Sequence, residues 1–235
     1  MEALNKPQNT FINSTTIKII AMASMLIDHL GAFVLLPWLQ AGNGQVNFET
    51  WNSVYTASRA VGRLAFPLFC FLIVEGFQHT SDVKKYLKRL GIFALISEIP
   101  FDLARSHTFF DFSGQNVMFT LFSGLFAIWC IEKFEQPIYR FVGVVLSLAF
   151  VFILDTDYST LGVSVIIILY VLRDFRLFQS LFGAFAFIGS WFAMPAFIIT
   201  YFYNGLKGNL SSKAFYWFYP VHLLLYALIA YLLLS

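Results

Sequence analysis

The sequence predicts an all-α fold: a polytopic transmembrane bundle of about eight spans with its N-terminus in the cytoplasm. Three observations predict it, namely the composition, the long apolar runs and the placement of basic residues between them. Hydrophobic residues make up 59% of the 235 residues and charged ones 12%, where a soluble domain holds roughly 45–50% and 25%. Phe alone occurs 29 times, which suits lipid-facing and interhelical surfaces better than a small soluble core. A net charge of +2 leaves no basic face for nucleic acid.

Residues 1–16 are polar and read as a cytoplasmic N-terminal segment, and 17–235 as a single membrane domain. A helix needs about 20 mostly apolar residues to cross roughly 30 Å of hydrocarbon. Runs near that length are 17–39, 54–78, 86–104, 116–132, 138–154, 159–172, 177–203 and 214–234. The first is longer than a signal-peptide core and leads to no small-residue cleavage site, so it reads as a retained span. The sixth is short. The seventh contains Gly189, Ser190 and Pro195, which leaves open whether it is one kinked helix or a broken pair. With the N-terminus inside, the inner segments hold Lys6, Lys18, Lys84, Lys85, Lys88, Arg89, Lys133, Arg140, Arg173 and Arg176. The outer loops hold only Arg105, Lys207 and Lys213, as the positive-inside rule requires.

Ionisable groups inside apolar spans are costly and mark function by default. The first span carries Asp28 and His29 about halfway along. The second carries Arg59 and Arg63, four apart on one face, then Glu75 and His79 near its inner end. The third carries Glu98 and Asp102, Asn116 opens the fourth, and Tyr219 and His222 lie in the last. At about 1.5 Å per residue, His29 comes out roughly 18 Å from the inner edge and Arg63 roughly 14 Å from the outer one. His29, Arg63, Glu98, Asp102 and His222 are therefore expected at similar depth, in one polar cavity. A buried His beside a carboxylate suits a general base, and an intramembrane Arg suits an oxyanion or phosphate. Together they fit acyl transfer from a thioester to an amine or hydroxyl. Cys70 and Cys130 lie in apolar runs without C-x-x-C spacing, and no H-x-x-x-H or H-E-x-x-H pair occurs, so no metal site is expected. Each residue also has a plainer reading: Asp28–His29 as a buried pair, Arg59 and Arg63 as helix-pairing ions, Glu75, His79 and His222 as interfacial positions, and Lys84–Arg89 as a topology signal.

Several strings resemble the TraX family: Ile27-Asp28-His29-Leu30-Gly31; Gly62-Arg63-Leu64-Ala65-Phe66-Pro67 through Glu75-Gly76-Phe77 with His79-Thr80; Tyr86 through Arg89-Leu90; Ser97-Glu98-Ile99-Pro100-Phe101-Asp102; Asn116-Val117 with Phe119-Thr120; Gly162; and Phe218-Tyr219-Pro220-Val221-His222-Leu223. The resemblance runs over almost the whole chain. It implies a multi-pass acetyltransferase of the bacterial cytoplasmic (inner) membrane, similar to the enzyme that acetylates pilin N-termini and more distantly to polysaccharide O-acyltransferases. The acyl donor it implies is acetyl-CoA and the acceptor an extracytoplasmic protein or glycan, in contact with the lipid bilayer; a homodimer is left open. By motif position His29 is the base and Arg63 a donor to the thioester or phosphate, while Glu75, Glu98 and His222 receive no assigned role.

The site expected from residues and resemblance together is His29, Asp28, Arg63, Glu98 and His222 at the chemistry. Arg59, Arg63, Glu75, His79, Lys84, Lys85 and Arg89 are expected on acetyl-CoA, and Asp102, Asn116 and Tyr219 on the acceptor. Competing classes are a transporter or flippase, which would want repeat symmetry that the sequence lacks, a non-catalytic partner in envelope or conjugation assembly, and an intramembrane hydrolase.

Overall fold

The computed structural model describes residues 12–209 and 212–234, with the side chains of 212–214 left aside. Residues 1–11, which hold Lys6 and most of the polar N-terminal segment, and the side chain of Lys213 lie outside the described residues. Among the described residues the protein is all helical, without a β-strand; two isolated bridges, Ile12 with Tyr203 and Gln115 with Thr156, tie loops together.

Helix α1 (Ser14–Leu30) starts at Asn13, whose side chain caps the Thr16 amide. It passes through a π-helical turn, Gly31–Leu35, into α2 (Leu36–Gln40). The wide turn falls where Pro37 has no N–H to give the carbonyl of Phe33. Helices α3 (Phe48–Gly62) and α4 (Ala65–His79) divide what the sequence reads as one span. The break has the same origin: Pro67 cannot bond the Arg63 carbonyl, and the amides of Arg63 and Leu64 turn back to Ala60 and Val61 instead. Helix α5 (Val83–Ser106) is capped by Asp82, which accepts from the Lys85 amide at 3.0 Å. That bond holds the Asp82 carboxyl below the usual carboxylate range. Helix α6 (Val117–Lys133) is capped by Asn116. Then follow α7 (Pro137–Ile153), α8 (Ser159–Val171), α9 (Arg176–Ala186), α10 (Pro195–Tyr201) and α11 (Ser212–Leu234).

Helix α4 is the central post. Every residue from Ala65 to Glu75 is buried, as expected of a helix that is apolar all round, and α1, α6, α8 and α10 pack against it. The outer helices are built inside out. On α7 the inward positions are Gly143, Ser147 and Val151, while Phe141, Val145, Leu146, Phe152 and Ile153 are exposed. On α9 the inward positions are Arg176, Gln179, Ser180 and Gly183, and Phe178, Leu181, Phe182 and Phe185 face out. Small and polar residues inside with large apolar ones outside is the pattern of helices packed in lipid. By length and composition three stretches can cross a membrane: Ser14–Gln40, Gln45–His79 and Phe215–Leu234. Pro137–Ile153, Ser159–Val171 and Trp191–Tyr201 are shorter apolar helices.

The expected seventh span, 177–203, is a broken pair. Helices α9 and α10 lie against each other, with Gly183 so close to Phe197 that a Cβ would sit 2.3 Å from its ring. At about 1.5 Å per residue neither is longer than roughly 17 Å, too short to cross. The chain therefore returns to the end it came from: the Ser14 amide bonds the Leu206 carbonyl at 2.9 Å and the Asn204 amide the Ile12 carbonyl at 2.9 Å. Lys207, expected on the outer side, thus lies at the same end of the bundle as Lys18. Helix α11 starts there as well, with Lys18 over the Phe215 ring, and reaches α2 at its far end.

Candidate functional site

His29 is turned away from Asp28, since consecutive residues on a helix point about 100° apart. Its Nδ1 lies 2.7 Å from Nε2 of His222, and the two rings stack at 4.9 Å. His222 in turn bonds through Nδ1 to the Phe218 carbonyl at 2.7 Å, one turn back on α11. The rings of Phe33, Tyr219 and Tyr226 surround the pair, and the Tyr226 hydroxyl donates to the Leu26 carbonyl, fastening α11 to α1. The partner expected for His29 was the adjacent carboxylate; the partner observed is the second histidine.

Asp28 belongs to another group. Its Oδ2 accepts from Arg59 Nη1 at 2.7 Å, and Gly62 lets α3 approach so closely that a Cβ there would meet the Asp28 side chain. Arg63, at the break between α3 and α4, lies near the Tyr158 hydroxyl and acts on it. Tyr158 and Ser159 both carry positive φ, 61° and 36°, a costly conformation for a bulky residue. It lays the Tyr158 ring flat on Phe66 at 3.6 Å with the hydroxyl toward Arg63. Burial, and then the neighbouring Asp157 carboxylate, push the Tyr158 phenol up to about 12, so it stays protonated at neutral pH.

A third group lies across α5 and α6. Asn116 caps α6 by accepting from the Met118 amide at 3.0 Å, and its Nδ2 donates to the Ala94 carbonyl and to Glu98 Oε2. Asp102, one turn further on, accepts from the Asp111 amide at 3.0 Å. Glu98 Oε1, Asp102 Oδ1 and Asp28 Oδ1 are buried with no hydrogen-bond partner among the described residues. Tyr219 links the groups: it lies beside the His29–His222 pair, and the Glu98 and Asp157 carboxylates both act on it. The expected gathering of His29, Arg63, Glu98, Asp102 and His222 in one cavity is thus three adjoining groups, and only His29 and His222 touch directly.

Tyr219 also lines a cavity. It measures about 240 Å³. Lys18, His79, Arg89 and Lys207 stand at one end, Phe69, Leu72 and Leu121 along its wall, and Met25, Val117 and Tyr219 at the other. Of the residues expected on acetyl-CoA, Glu75, His79 and Arg89 line this space, whereas Lys84, Lys85, Arg59 and Arg63 do not. Lys84 and Lys85 are exposed, and Lys85 pairs with Asp82 at 3.3 Å. Glu75 is held from behind by Arg176 at 3.5 Å and by Tyr203, which fixes α4 to α9 and leaves it a wall residue. Lys18 and Lys207 went unrecognised as site residues. Lys18 stands alone in the sequence as a topology charge, and Lys207 joins it only through the α9–α10 hairpin. Arg176 was also missed, and a buried arginine opening an inside-out helix is the signal that could have found it. Among the described residues no group of His, Cys, Asp or Glu has a metal-holding arrangement.

The family described as TraX protein matches this chain over residues 13–230. The chain is 31% identical over 251 aligned positions to the "Probable fimbrial assembly protein FimC, serogroup H1" of Dichelobacter nodosus, covering 93% of this chain and 96% of that protein. No solved structure matches.

Proposed function

We propose, from the premise that this chain belongs to the TraX family, that it is a membrane acyltransferase moving acetyl from acetyl-CoA to an amine or hydroxyl beyond the cytoplasmic membrane. One observation carries the reading. A cavity with a basic rim is lined by Tyr219, and the same ring adjoins the His29–His222 pair, at 6.2 Å and 5.6 Å between centroids. In this reading the rim faces the cytoplasm, and α1, α11 and the broken α3–α4 span carry the chain across. Lys18, Lys207 and Arg89 take the phosphates of the nucleotide end, and the narrow acyl-bearing arm enters the cavity. Cys70 is fully buried and off the cavity, so it does not serve as an acyl carrier.

The chemistry is direct transfer. His29 removes the proton of the acceptor N–H or O–H as that atom attacks the thioester carbonyl. The Tyr219 hydroxyl donates its proton to the developing oxyanion. The C–S bond then breaks, and the coenzyme A thiolate takes up the proton held by His29. Asp28, Arg59, Arg63 and Tyr158 shape the outer approach, and Glu98, Asp102 and Asn116 its opposite wall; this is where the acceptor, a pilin-type protein or a surface glycan, is placed.

The test is acetyl-CoA turnover by the purified protein in lipid, wild type beside His29→Ala and Tyr219→Phe. Coenzyme A release by wild type, reduced at least about 100-fold in both variants with unchanged folding, is expected. Full release by His29→Ala overturns the assignment. The relative's name, a fimbrial assembly protein, favours a second reading as a non-catalytic assembly partner. Absence of both coenzyme A binding and turnover in wild type would select it.

A further inference from the structure

The two histidines have more to say than their proximity, because their hydrogen bonds run in one direction. A carbonyl oxygen only accepts, so the bond between His222 Nδ1 and the Phe218 carbonyl, 2.7 Å, places a proton on His222 Nδ1. In a neutral ring the remaining nitrogen, Nε2, is then an acceptor. That nitrogen faces His29 Nδ1 at 2.7 Å, so His29 Nδ1 must carry the donated proton. One lone pair is left over, on His29 Nε2.

The surroundings supply neither ring with a counter-ion. Among the described residues no carboxylate lies within 4.0 Å of either ring; Asp28, the nearest in sequence, is paired to Arg59. The Arg59 guanidinium acts on His29 from α3, and the two rings would repel one another if both were charged. From α11 and α1 the groups packed on the pair are the uncharged rings of Phe218, Tyr219, Tyr226 and Phe33. Free neutral imidazole prefers its proton on Nε2, so the arrangement around His29 is imposed against that preference.

We propose that His222 is a positioning residue: a tautomer lock, set by the Phe218 carbonyl, that makes Nε2 of His29 the basic nitrogen. The proposal rests on His29 being the base. When Nε2 takes the acceptor's proton, the Nδ1 proton can shift to His222 Nε2, and the positive charge spreads over two rings and ends against the Phe218 carbonyl. No proton is lost or gained in the relay. A carboxylate partner would do the same task but would leave a charged group buried in the resting protein.

The experiment separates this from the acyltransferase reading. ¹⁵N-histidine labelling of the protein in lipid, with His79→Gln and His107→Gln removing two of the 4 histidines, leaves the rings of His29 and His222. Magic-angle-spinning NMR at neutral pH should show both protonated on Nδ1 and bare on Nε2. Introducing His222→Phe should return His29 to a mixture dominated by the Nε2-protonated form. A proton on Nε2 of His29 in the parent, or an unchanged His29 tautomer in His222→Phe, overturns the lock whether or not the protein turns over acetyl-CoA. Where turnover is measured, His222→Phe should lose at least about 100-fold in kcat with KM for acetyl-CoA within threefold. His222→Gln, whose Oε1 can accept from His29 Nδ1, should recover to within about tenfold of wild type. Equal loss in both variants would mean that the ring only fills space.

Discussion

Lys18 and Lys207 show how a site is made from residues that are unremarkable alone. Each is a single lysine next to an apolar segment, and between described residues neither forms an ion pair. At the cavity rim they face each other closely enough for Lys207 to act on Lys18, an arrangement that an anion relieves. Lys18→Ala and Lys207→Ala are each expected to raise KM for acetyl-CoA about five- to tenfold, in keeping with one net hydrogen bond of roughly 1–1.5 kcal/mol at a solvent-facing rim, while kcat stays within twofold. Steady-state kinetics at two ionic strengths will check this, with the wild-type advantage shrinking as salt rises. Lys84→Ala, by contrast, should leave KM unchanged. At this scale the residue types were legible: His29, His222, Tyr219, Asn116 and Glu98 all fall where polar groups meet. Their pairings were not. That His29 turns to His222 rather than Asp28 depends on the angle between neighbours on α1 and on the parallel course of α11, neither of which a string of letters displays.

The elements were read well where apolar length decides and less well where proline does. The apolar run of the second span is continuous in sequence, yet Pro67 divides it at Arg63 and places that guanidinium at a helix end. Pro37 opens the π turn that follows His29. In the seventh segment Gly189, Ser190 and Pro195 leave a break open, and Gly183 packed on Phe197 decides it in favour of two helices folded onto each other. The consequence is a change of side for the loop at Lys207, which site-directed labelling measures. With Cys70 and Cys130 replaced by alanine, both being buried, Lys207→Cys should react with an impermeant maleimide from the same side as Lys84→Cys. Phe112→Cys, in the exposed loop between α5 and α6, should react only from the other. Labelling of Lys207→Cys together with Phe112→Cys would restore the single crossing helix.

The whole molecule combines a post that is buried all round, α4, with peripheral helices that turn small and polar residues inward. Such a bundle can hold charged groups at depth because each has a partner nearby: Asp28 has Arg59, Glu75 has Arg176, Glu98 has Asn116. In the acyltransferase reading donor and acceptor come to Tyr219 from opposite sides of the membrane, so neither substrate needs to wait for the other to leave. With no thiol on the cavity to hold the acyl group between visits, the kinetic order follows from the architecture. Initial rates against both substrates should give intersecting double-reciprocal lines, and parallel lines, the sign of a shared entrance with a covalent stopover, would contradict it. In the acyltransferase reading donor and acceptor thus arrive independently, meet beside Tyr219, and depart by the sides from which they came.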